Sequence, residues 1–357
     1  MPVAAAFTDQ VAALASAGFA LDTSTLARAL HSSDASLYRV PPAAVARPGS
    51  VAELRELVDA ARAAGLPLTS RGAGTSVAGN AIGPGLVVDC TRLDGIAHLD
   101  GTGRAAIVEP GVVPARLTAA AARHGLRFGP DPSTADRCTI GGMIGNNACG
   151  PRALGYGRTA DNVLALDVVT GTGERLHLGQ SATTADSPTL SALHDLVMAN
   201  LGVIRTGFGR FPRQVSGYSL EHLLPEHGFD VARFLVGSEG TLGVVTGARV
   251  RLVADLPLRA LLVIGYPDMV GAADATPAVL PWRPTAVEGL DRRIVDVVRR
   301  RLGTSAVPDL PRGEGWLFVE LTDTDPGALA DRSRALVAAA GGLDAVVVTD
   351  PARAARL

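Results

Sequence analysis

The sequence predicts an α+β fold of about two domains, and three observations lead to this prediction. The chain has 357 residues, which exceeds the usual length of one domain. Helical and strand patterns alternate along it, and Pro257 marks a boundary between a glycine-rich part and a more regular part. In the regular part, the patterns follow one another in the order of a split βαβ sandwich.

The first predicted elements are mostly helical. Residues 1–40 predict two short helices and a loop, which Pro41-Pro42 closes. Ser50 and Glu53 form a capping-box pattern, and apolar residues then repeat at helical spacing up to Gly65. Beyond this helix the sequence predicts strands at 66–69, 86–89 and 105–108 and a second helix at 114–124.

The middle of the chain is rich in glycine. Residues 129–157 show little helical or strand periodicity, so we expect loops there. Apolar runs at 163–170 and 175–178 flank Gly171-Thr172-Gly173, a pattern typical of a hairpin. The other predicted elements of this part are a helix at 189–201 and strands at 234–236 and 243–252.

After Pro257, strand and helix patterns alternate regularly. The predicted elements are strands at 261–265, 286–287, 316–321 and 344–348 and helices at 270–280, 291–301 and 328–340. A further helix begins at Pro351, so the sequence ends at Leu357 within a predicted element. We therefore expect a C-terminal truncation, with part of this domain beyond Leu357.

The composition excludes several kinds of chemistry. All 33 basic residues are arginine, because the sequence contains no lysine. This excludes lysine-bound pyridoxal phosphate, Walker A nucleotide sites and lysine general bases. The formal net charge of −2 argues against a nucleic-acid-binding protein, which usually carries a concentrated basic surface.

The cysteines and histidines predict no metal site. Cys90, Cys138 and Cys149 lack the C-x-x-C spacing of zinc or iron–sulfur ligands, and their odd number fits a reducing compartment. The seven histidines are scattered along the chain. The N-terminus has no signal-peptide pattern, and no apolar run approaches the length of a membrane span. The sequence therefore predicts a cytoplasmic protein.

A glycine-rich loop begins at Arg71, directly after a predicted strand. It differs from a dinucleotide-binding turn, because Val77 replaces the third glycine and the glycines within 79–85 exclude the helix that must follow. Its small residues, with the hydroxyls of Thr75 and Ser76, predict successive backbone N–H groups that bind an anion. Arg71 is the candidate charge partner. A plain glycine-rich connection between strands is the alternative.

Two further glycine motifs occur later in the chain. Residues 130–133 lead to Thr-Ile-Gly-Gly at 139–142, and Tyr156-Gly157 follows. A Gly-Ser-Glu-Gly-Thr-Leu-Gly turn at 237–243 joins two predicted strands. Glycines allow backbone donors and a flat ring to approach closely. The glycine stretches together suit a long ligand that carries a diphosphate and a ring system.

These three motifs, in this order and at these distances, resemble the FAD-binding PCMH-type domain of the vanillyl-alcohol oxidase superfamily, in particular its D-lactate and glycolate dehydrogenase branch. The opening Val-Ala-Arg-Pro-Gly-Ser-Val at 45–51 is also similar to that domain. The resemblance covers about residues 40–357. It implies an α+β fold with an N-terminal helical lead (1–40), a two-subdomain FAD-binding domain (41–256) and the first part of a ferredoxin-like substrate-binding cap (257–357).

The resemblance also implies which residues bind FAD. Thr75 stands where family members with covalent flavin have a histidine, so the implied FAD is noncovalent. The implied cofactor residues are Arg71, Gly72, Ala73, Gly74, Thr75, Ser76 and Gly79 for the pyrophosphate, Pro132, Ser133, Thr139, Gly141, Gly142, Asn146, Tyr156 and Gly157 for the flavin region, and Glu239, Val244 and Val245 for the adenosine half or the strand below it.

The activity implied by the resemblance is the oxidation of a D-2-hydroxy acid, of the D-lactate or glycolate type, by hydride transfer to flavin N5. Arg213 and Arg283 are the candidates for the substrate carboxylate, because a guanidinium suits bidentate binding. The histidine cluster of the branch has no counterpart here, so the catalytic residues are expected beyond Leu357.

The implied electron acceptor is a quinone, a cytochrome or an iron–sulfur module, which leaves peripheral association with the inner face of the membrane open. Two alternatives to the dehydrogenase also stay open. One is an FAD-binding fragment without turnover, because the catalytic half of the cap is missing. The other is a different flavin oxidase or reductase chemistry on the same domain. The sequence leaves the particular hydroxy acid and the oligomeric state undetermined.

Overall fold

The computed structural model of the chain describes residues 6–179, 187–211 and 217–357. The elements up to residue 254 are α1 (Thr8–Ser16), β1 (Leu21–Asp22), α2 (Thr25–Leu30), β2 (Ala44–Ala46), α3 (Val51–Ala63), β3 (Leu68–Arg71), β4 (Leu86–Asp89), β5 (Ile96–Asp100), β6 (Ala105–Val108), α4 (Pro114–Ala121), β7 (Leu126–Phe128), α5 (Ile140–Asn146), α6 (Ala153–Tyr156), α7 (Thr159–Asn162), β8 (Val163–Thr170), β9 (Arg175–Leu178), α8 (Pro188–Ala199), α9 (Leu201–Gly207), α10 (Val231–Leu235) and β10 (Gly243–Ala254). The later elements are β11 (Leu258–Tyr266), α11 (Met269–Val279), β12 (Ala286–Asp291), α12 (Arg292–Leu302), β13 (Gly315–Asp323), α13 (Pro326–Ala340), β14 (Asp344–Val348) and α14 (Pro351–Ala354).

The chain divides into two compact units. The first comprises Met1–Cys149 and Arg158–Val253. The second comprises Gly150–Gly157 and Ala254–Leu357, so two separate stretches of chain build it.

The smaller sheet of the first unit has the strand order β1-β2-β4-β3. Strands β2, β4 and β3 run parallel, whereas β1 is antiparallel to β2. Helix α3 begins after Ser50, whose hydroxyl accepts a hydrogen bond of 3.1 Å from the Glu53 N–H. Leu54 and Leu57 of this helix are buried in one core with Leu86 of β4. The helix predicted from residue 51 is therefore confirmed. Within the described residues no helix separates β3 from β4, which excludes a dinucleotide-binding turn there.

The larger sheet of the first unit has the order β5-β6-β10-β8-β9, and β7 also pairs with β10. The predicted hairpin is confirmed, because β8 and β9 pair antiparallel with Leu166 opposite Leu178. Gly173 adopts a φ of +91° in the turn, a conformation that favours glycine. Leu166 and Leu178 are fully buried in a core that also contains Ile140 of α5.

The expectation of loops throughout 129–157 is wrong. Residues 140–146 form helix α5 although three of them are glycine. Thr139 caps this helix, because its hydroxyl accepts a hydrogen bond of 3.2 Å from the Gly142 N–H. Ile140, Met143 and Ile144 are buried, and their packing offsets the low helix propensity of glycine.

The strand predicted at 234–236 is also wrong. Residues 231–235 form helix α10, which begins after Asp230. The Asp230 carboxylate accepts a hydrogen bond of 2.9 Å from the Arg233 N–H, which makes Asp230 the N-cap. Strand β7, which the sequence did not predict, is only Leu126–Phe128. The Ser-Glu-Gly-Thr turn thus joins a helix to β10 instead of joining two strands.

The second unit contains one antiparallel sheet with the order β12-β13-β11-β14. This order, with the crossover helices α11 and α13, is the split βαβ arrangement that the sequence predicted. The helices share a buried core with the sheet. Its members include Ala272 and Val279 of α11, Leu329 and Leu336 of α13, and Leu262, Val319 and Leu321 of the central strands.

The stretch Gly150–Gly157 is held in the second unit by an ion pair. The Arg152 guanidinium donates two hydrogen bonds of 2.7 Å to the carboxylate of Glu320 on β13. Thr285 donates a third, also 2.7 Å, and the Gly155 N–H donates to the Thr285 carbonyl at 3.1 Å. Burial would raise the pKa of Glu320, but the hydrogen bonds from Arg152 and Thr285 outweigh it and hold that pKa below its usual value.

Candidate cofactor site

A cleft of about 270 Å³ lies within the first unit. Three segments line it: the loop after β3, the first turns of α5, and the turn that precedes β10. These are the three glycine motifs that the sequence singled out. The fold therefore brings together segments that are far apart in the chain.

The loop at 72–76 presents backbone donors to this cleft. Among the described residues, none accepts a hydrogen bond from the N–H groups of 72–76. Gly74 has a φ of +69°, which a residue with a side chain rarely adopts. A run of unpaired amides in a cleft is a binding site for an anion such as a diphosphate.

The Arg71 guanidinium is held by two backbone carbonyls. Its Nη1 donates to the Ala81 carbonyl and its Nη2 to the Ser33 carbonyl, both at 3.0 Å. Burial lowers the pKa of Arg71, and the carboxylates of Asp89 and Asp34 partly offset that effect. Arg71 lines the cleft, and these two bonds use two of the five N–H donors of its guanidinium.

The glycines at the start of α5 serve close packing. A Cβ at Gly72 would lie 2.2 Å from the Thr139 Oγ1, so the loop and the helix cap touch only because residue 72 is glycine. A Cβ at Gly141 would lie 2.7 Å from the Pro110 Cβ. The N–H of Gly141 donates to the Pro110 carbonyl at 2.7 Å, and that of Gly142 to Thr139. The N–H groups of both residues thus have partners within the protein, while both glycines line the cleft.

Asparagines connect the loop to α5. The Asn80 side-chain amide donates to the Asn146 Oδ1 at 2.9 Å, and Asn146 in turn donates to the Gly142 carbonyl at 3.0 Å. The Ser76 hydroxyl donates to the Asn80 Oδ1. These bonds fix the far end of the loop against the helix across the cleft. The predicted site residue Asn146 therefore positions other groups of the site.

The turn before β10 is also held by α5. The Gly237 N–H donates to the Ile144 carbonyl at 2.8 Å, and the Glu239 N–H to the Gly145 carbonyl at 2.9 Å. Glu239 has a φ of +54°, an uncommon conformation for a residue other than glycine. Its side chain is exposed at the cleft, so the strained turn presents a carboxylate there.

Most of the predicted cofactor residues line this one cleft. They are Arg71, Gly72, Ala73, Gly74, Thr75, Ser76, Pro132, Thr139, Gly141, Gly142, Asn146, Glu239 and Val245. Gly79, Ser133 and Val244 do not line it. Gly79 lies against the Tyr38 ring, Ser133 is exposed, and Val244 is buried in the core of the smaller sheet.

The remaining predicted residues lie elsewhere. Tyr156 and Gly157 belong to the second unit. Arg283 is exposed in that unit with a φ of +53°. Arg213 lies outside the described residues.

The sequence missed several residues of the cleft. Cys90 and Cys138 line it, and both are buried free cysteines. Burial raises the pKa of the Cys90 thiol to about 12 and also raises that of Cys138. Both therefore stay protonated thiols at neutral pH. Neither lies in a local motif, so no signal in the sequence marked them.

A charged group lies beneath the loop at the end of β4. Asp89 lies within 3.3 Å of the His31 Nε2 and 3.4 Å of the Arg47 Nε. Burial would raise the pKa of Asp89, but hydrogen bonds from Thr91 and His31 outweigh it and lower that pKa. Asp89 is also opposite Arg71 in the β3–β4 pairing, so a carboxylate supports the arginine that braces the loop.

The described residues contain neither a metal-ligand cluster nor a membrane-spanning helix. In residues 6–179, 187–211 and 217–357, no group of three or more His, Cys, Asp or Glu side chains is placed to hold a metal ion. Over the same ranges, no helix combines the length and the apolar character that a bilayer span requires.

The chain is similar to known flavoproteins. Residues 42–179 match the FAD binding domain family. D-2-hydroxyglutarate dehydrogenase of Escherichia coli (strain K12) is 30% identical over 346 residues, which cover 90% of this chain and 34% of that protein. D-lactate dehydrogenase of Archaeoglobus fulgidus is 30% identical and covers 85% of this chain. The glycolate oxidase subunit GlcD of Bacillus subtilis is 31% identical and covers 80%.

The chain spans 59% of the Archaeoglobus protein and 54% of GlcD, so it matches only part of each relative. A solved structure of alkyldihydroxyacetonephosphate synthase is 18% identical with a TM-score of 0.70. That match covers 98% of this chain and 63% of the synthase chain, and it shows a shared fold. Motifs, fold and relatives agree, and the resemblance seen in the sequence is confirmed: residues 42–179 belong to the FAD binding domain family, and FAD is the cofactor of this chain.

Proposed function

We propose that this protein is an FAD-dependent dehydrogenase that oxidises a D-2-hydroxy acid. Its relatives include enzymes named for D-2-hydroxyglutarate, D-lactate and glycolate, all 2-hydroxy acids. The observation that carries the proposal is the unpaired run of backbone amides at 72–76, in a cleft built from all three glycine motifs. It supports a diphosphate-containing cofactor at this position.

The residues of the cleft fit FAD in the following way. The amides of 72–76 would hold the diphosphate, with no lysine needed, because backbone donors supply the positive ends of their dipoles. The small residues Gly142 and Gly145 would leave room for the flavin, since a Cβ at Gly145 meets nothing within 4 Å. Thr75 forms no histidyl bond, so we propose that the FAD is noncovalent.

The chemistry divides between cofactor and protein. Bound FAD supplies the hydride acceptor for the carbinol carbon of the substrate. The protein must bind the carboxylate of the substrate and accept the proton of the substrate's 2-hydroxyl group. Cys90 and Cys138 are protonated at neutral pH, and a guanidinium such as that of Arg71 stays protonated in proteins. None of these three residues suits the role of general base, so we propose that another residue accepts the proton. Arg213 and Arg283 stay the proposed carboxylate ligands.

The test is spectroscopic. The purified chain, loaded with FAD, is mixed anaerobically with D-lactate, glycolate or D-2-hydroxyglutarate, and L-lactate serves as the stereochemical control. We expect at least one of the first three acids to bleach the flavin absorbance near its long-wavelength maximum. Acid precipitation before the reaction should release the flavin into the supernatant. Flavin that stays in the pellet would refute the noncovalent proposal.

The outcomes separate the open alternatives. A chain that binds FAD but is bleached by none of the acids would favour an FAD-binding protein without turnover. Bleaching by a simple alcohol, and by no hydroxy acid, would favour a different flavin oxidase chemistry. A chain that takes up no FAD would refute the site itself.

A further inference from the structure

A short segment upstream of the FAD binding domain match packs on the glycine loop. We name residues 31–40 the N-terminal strap; the family match begins only at residue 42. The strap is folded on itself, because the Val40 N–H donates to the Ser32 carbonyl at 2.7 Å and Ser33 forms a bridge with Arg39. It is therefore a compact loop with a defined shape.

Hydrogen bonds tie the strap to the glycine loop at three points. The Arg71 Nη2 donates to the Ser33 carbonyl at 3.0 Å. The Ala35 N–H donates to the Ser76 carbonyl at 2.9 Å, at the end of the run of unpaired amides. The Asp34 carboxylate accepts a bond of 3.4 Å from the Ala81 N–H. The strap thus holds the beginning, middle and end of the loop.

Tyr38 adds a packing contact to these bonds. A Cβ at Gly79 would lie 2.7 Å from the Tyr38 Cδ2, so the ring rests directly on the loop backbone. Gly79 has a φ of +86°. A residue with a side chain adopts this conformation only at a cost in free energy. The neighbouring Leu37 is fully exposed at 101%, whereas Tyr38 is exposed at 63%. The ring therefore covers the loop without being part of the hydrophobic core.

A loop of glycine and small residues loses much conformational entropy when it is fixed around a ligand. Contacts that fix it beforehand remove this cost from the binding step. We propose that the strap is part of the FAD site: it holds the glycine loop in its anion-binding conformation, and Tyr38 and Asp34 are positioning residues for the cofactor. This inference rests on the proposed placement of the FAD diphosphate at residues 72–76.

The experiment compares FAD affinity with the stability of the apoprotein. FAD is titrated into the apo form of the full chain, and flavin fluorescence gives the dissociation constant. We expect Tyr38→Ala to raise that constant roughly tenfold. Tyr38→Phe keeps the ring and should rescue binding to within about twofold. Leu37→Ala removes the fully exposed neighbouring side chain and should match the wild type.

The apoproteins are compared by thermal unfolding, because a merely structural role would lower their stability and leave the FAD affinity of the folded fraction unchanged. We expect Tyr38→Ala apoprotein to unfold within a few degrees of the wild type, since its ring is mostly exposed. Asp34→Ala is a second variant, expected to weaken FAD binding in the same direction. If both variants bind FAD like the wild type, the inference is refuted while the proposed function stands. If the wild type itself fails to bind FAD, the proposed function is refuted and the inference with it.

A double-mutant cycle tests the contact itself. Gly79→Ala pushes a methyl group against the ring, and the same change in a Tyr38→Ala background does not. The loss of FAD affinity from Gly79→Ala should therefore be smaller in the Tyr38→Ala background. Equal losses in both backgrounds would show that the ring does not press on the loop, and would overturn the role assigned to Tyr38.

Discussion

Alanine substitutions at two glycines of helix α5 should change the stability of the protein in opposite directions. At Gly141 a Cβ would lie 2.7 Å from the Pro110 Cβ and 2.9 Å from the Pro110 carbonyl oxygen, which is backbone and cannot rotate away. Overpacking of this kind costs about 1–3 kcal/mol of stability. The higher helix propensity of alanine offsets up to about 1 kcal/mol of that cost. We therefore expect Gly141→Ala to destabilise the protein by roughly 1–2 kcal/mol.

Gly145 is the matched control within the same helix. A Cβ there meets nothing within 4 Å, so Gly145→Ala gains helix propensity without a clash. Thermal unfolding of the two apoproteins is the assay, and about 1 kcal/mol corresponds to roughly 2–4 °C for a unit of this size. Gly141→Ala should melt several degrees below the wild type and Gly145→Ala at or above it. Equal melting temperatures for the two variants would refute the packing argument.

Three further changes have defined outcomes. Glu320→Gln breaks the charge pairing with Arg152 and should cost about 2 kcal/mol at neutral pH. The pKa of Glu320 in the folded protein lies below its unfolded value near 4.5. The difference in free energy of unfolding between the wild type and Glu320→Gln should therefore persist above pH 4.5 and vanish as the pH falls through the lowered pKa. Urea unfolding at several pH values measures this difference. Ser50→Ala removes the cap of α3 and should cost about 1 kcal/mol in the same assay, whereas Ser50→Gly should cost only a few tenths. Burial and Arg233 lower the pKa of His222 to about 4. The wild type should therefore lose stability relative to His222→Gln as the pH falls from about 6.5 to about 4. An NMR titration in which the His222 imidazole titrates near pH 6.5 would contradict this prediction.

The sequence predicts well those elements whose signals are local. Helix α3 has its cap at Ser50 and its apolar residues at helical spacing, and the hairpin at β8 and β9 has its glycine turn. The sequence did not predict helix α5, because its glycines suggest a loop. The helix is stabilised by a cap and by the burial of Ile140 and Ile144. Helix α10 carries a cap at Asp230, a signal that the sequence did contain.

The cofactor site could be predicted only in part for a similar reason. The glycine motifs mark the segments that line the cleft, since small residues are visible in the sequence itself. Which of their amides stay unpaired depends on contacts between distant residues, such as Gly141 with Pro110. The contact between the strap and the glycine loop could not be predicted at all. Ser33 and Arg71 are 38 positions apart, and no local pattern in the ten residues of the strap indicates this contact.

The stretch Gly150–Gly157 is separated from the rest of the second unit by residues 158–253 of the first unit. Arg152 leaves the ribosome 168 residues before Glu320, its ion-pair partner in the second unit. A protein cut at residue 254 would therefore yield a C-terminal fragment whose Glu320 carboxylate lacks its ion-pair partner Arg152. A continuous segment that begins at residue 254 carries all four strands of the second unit but not the stretch 150–157. Only the intact chain supplies both parts of this unit.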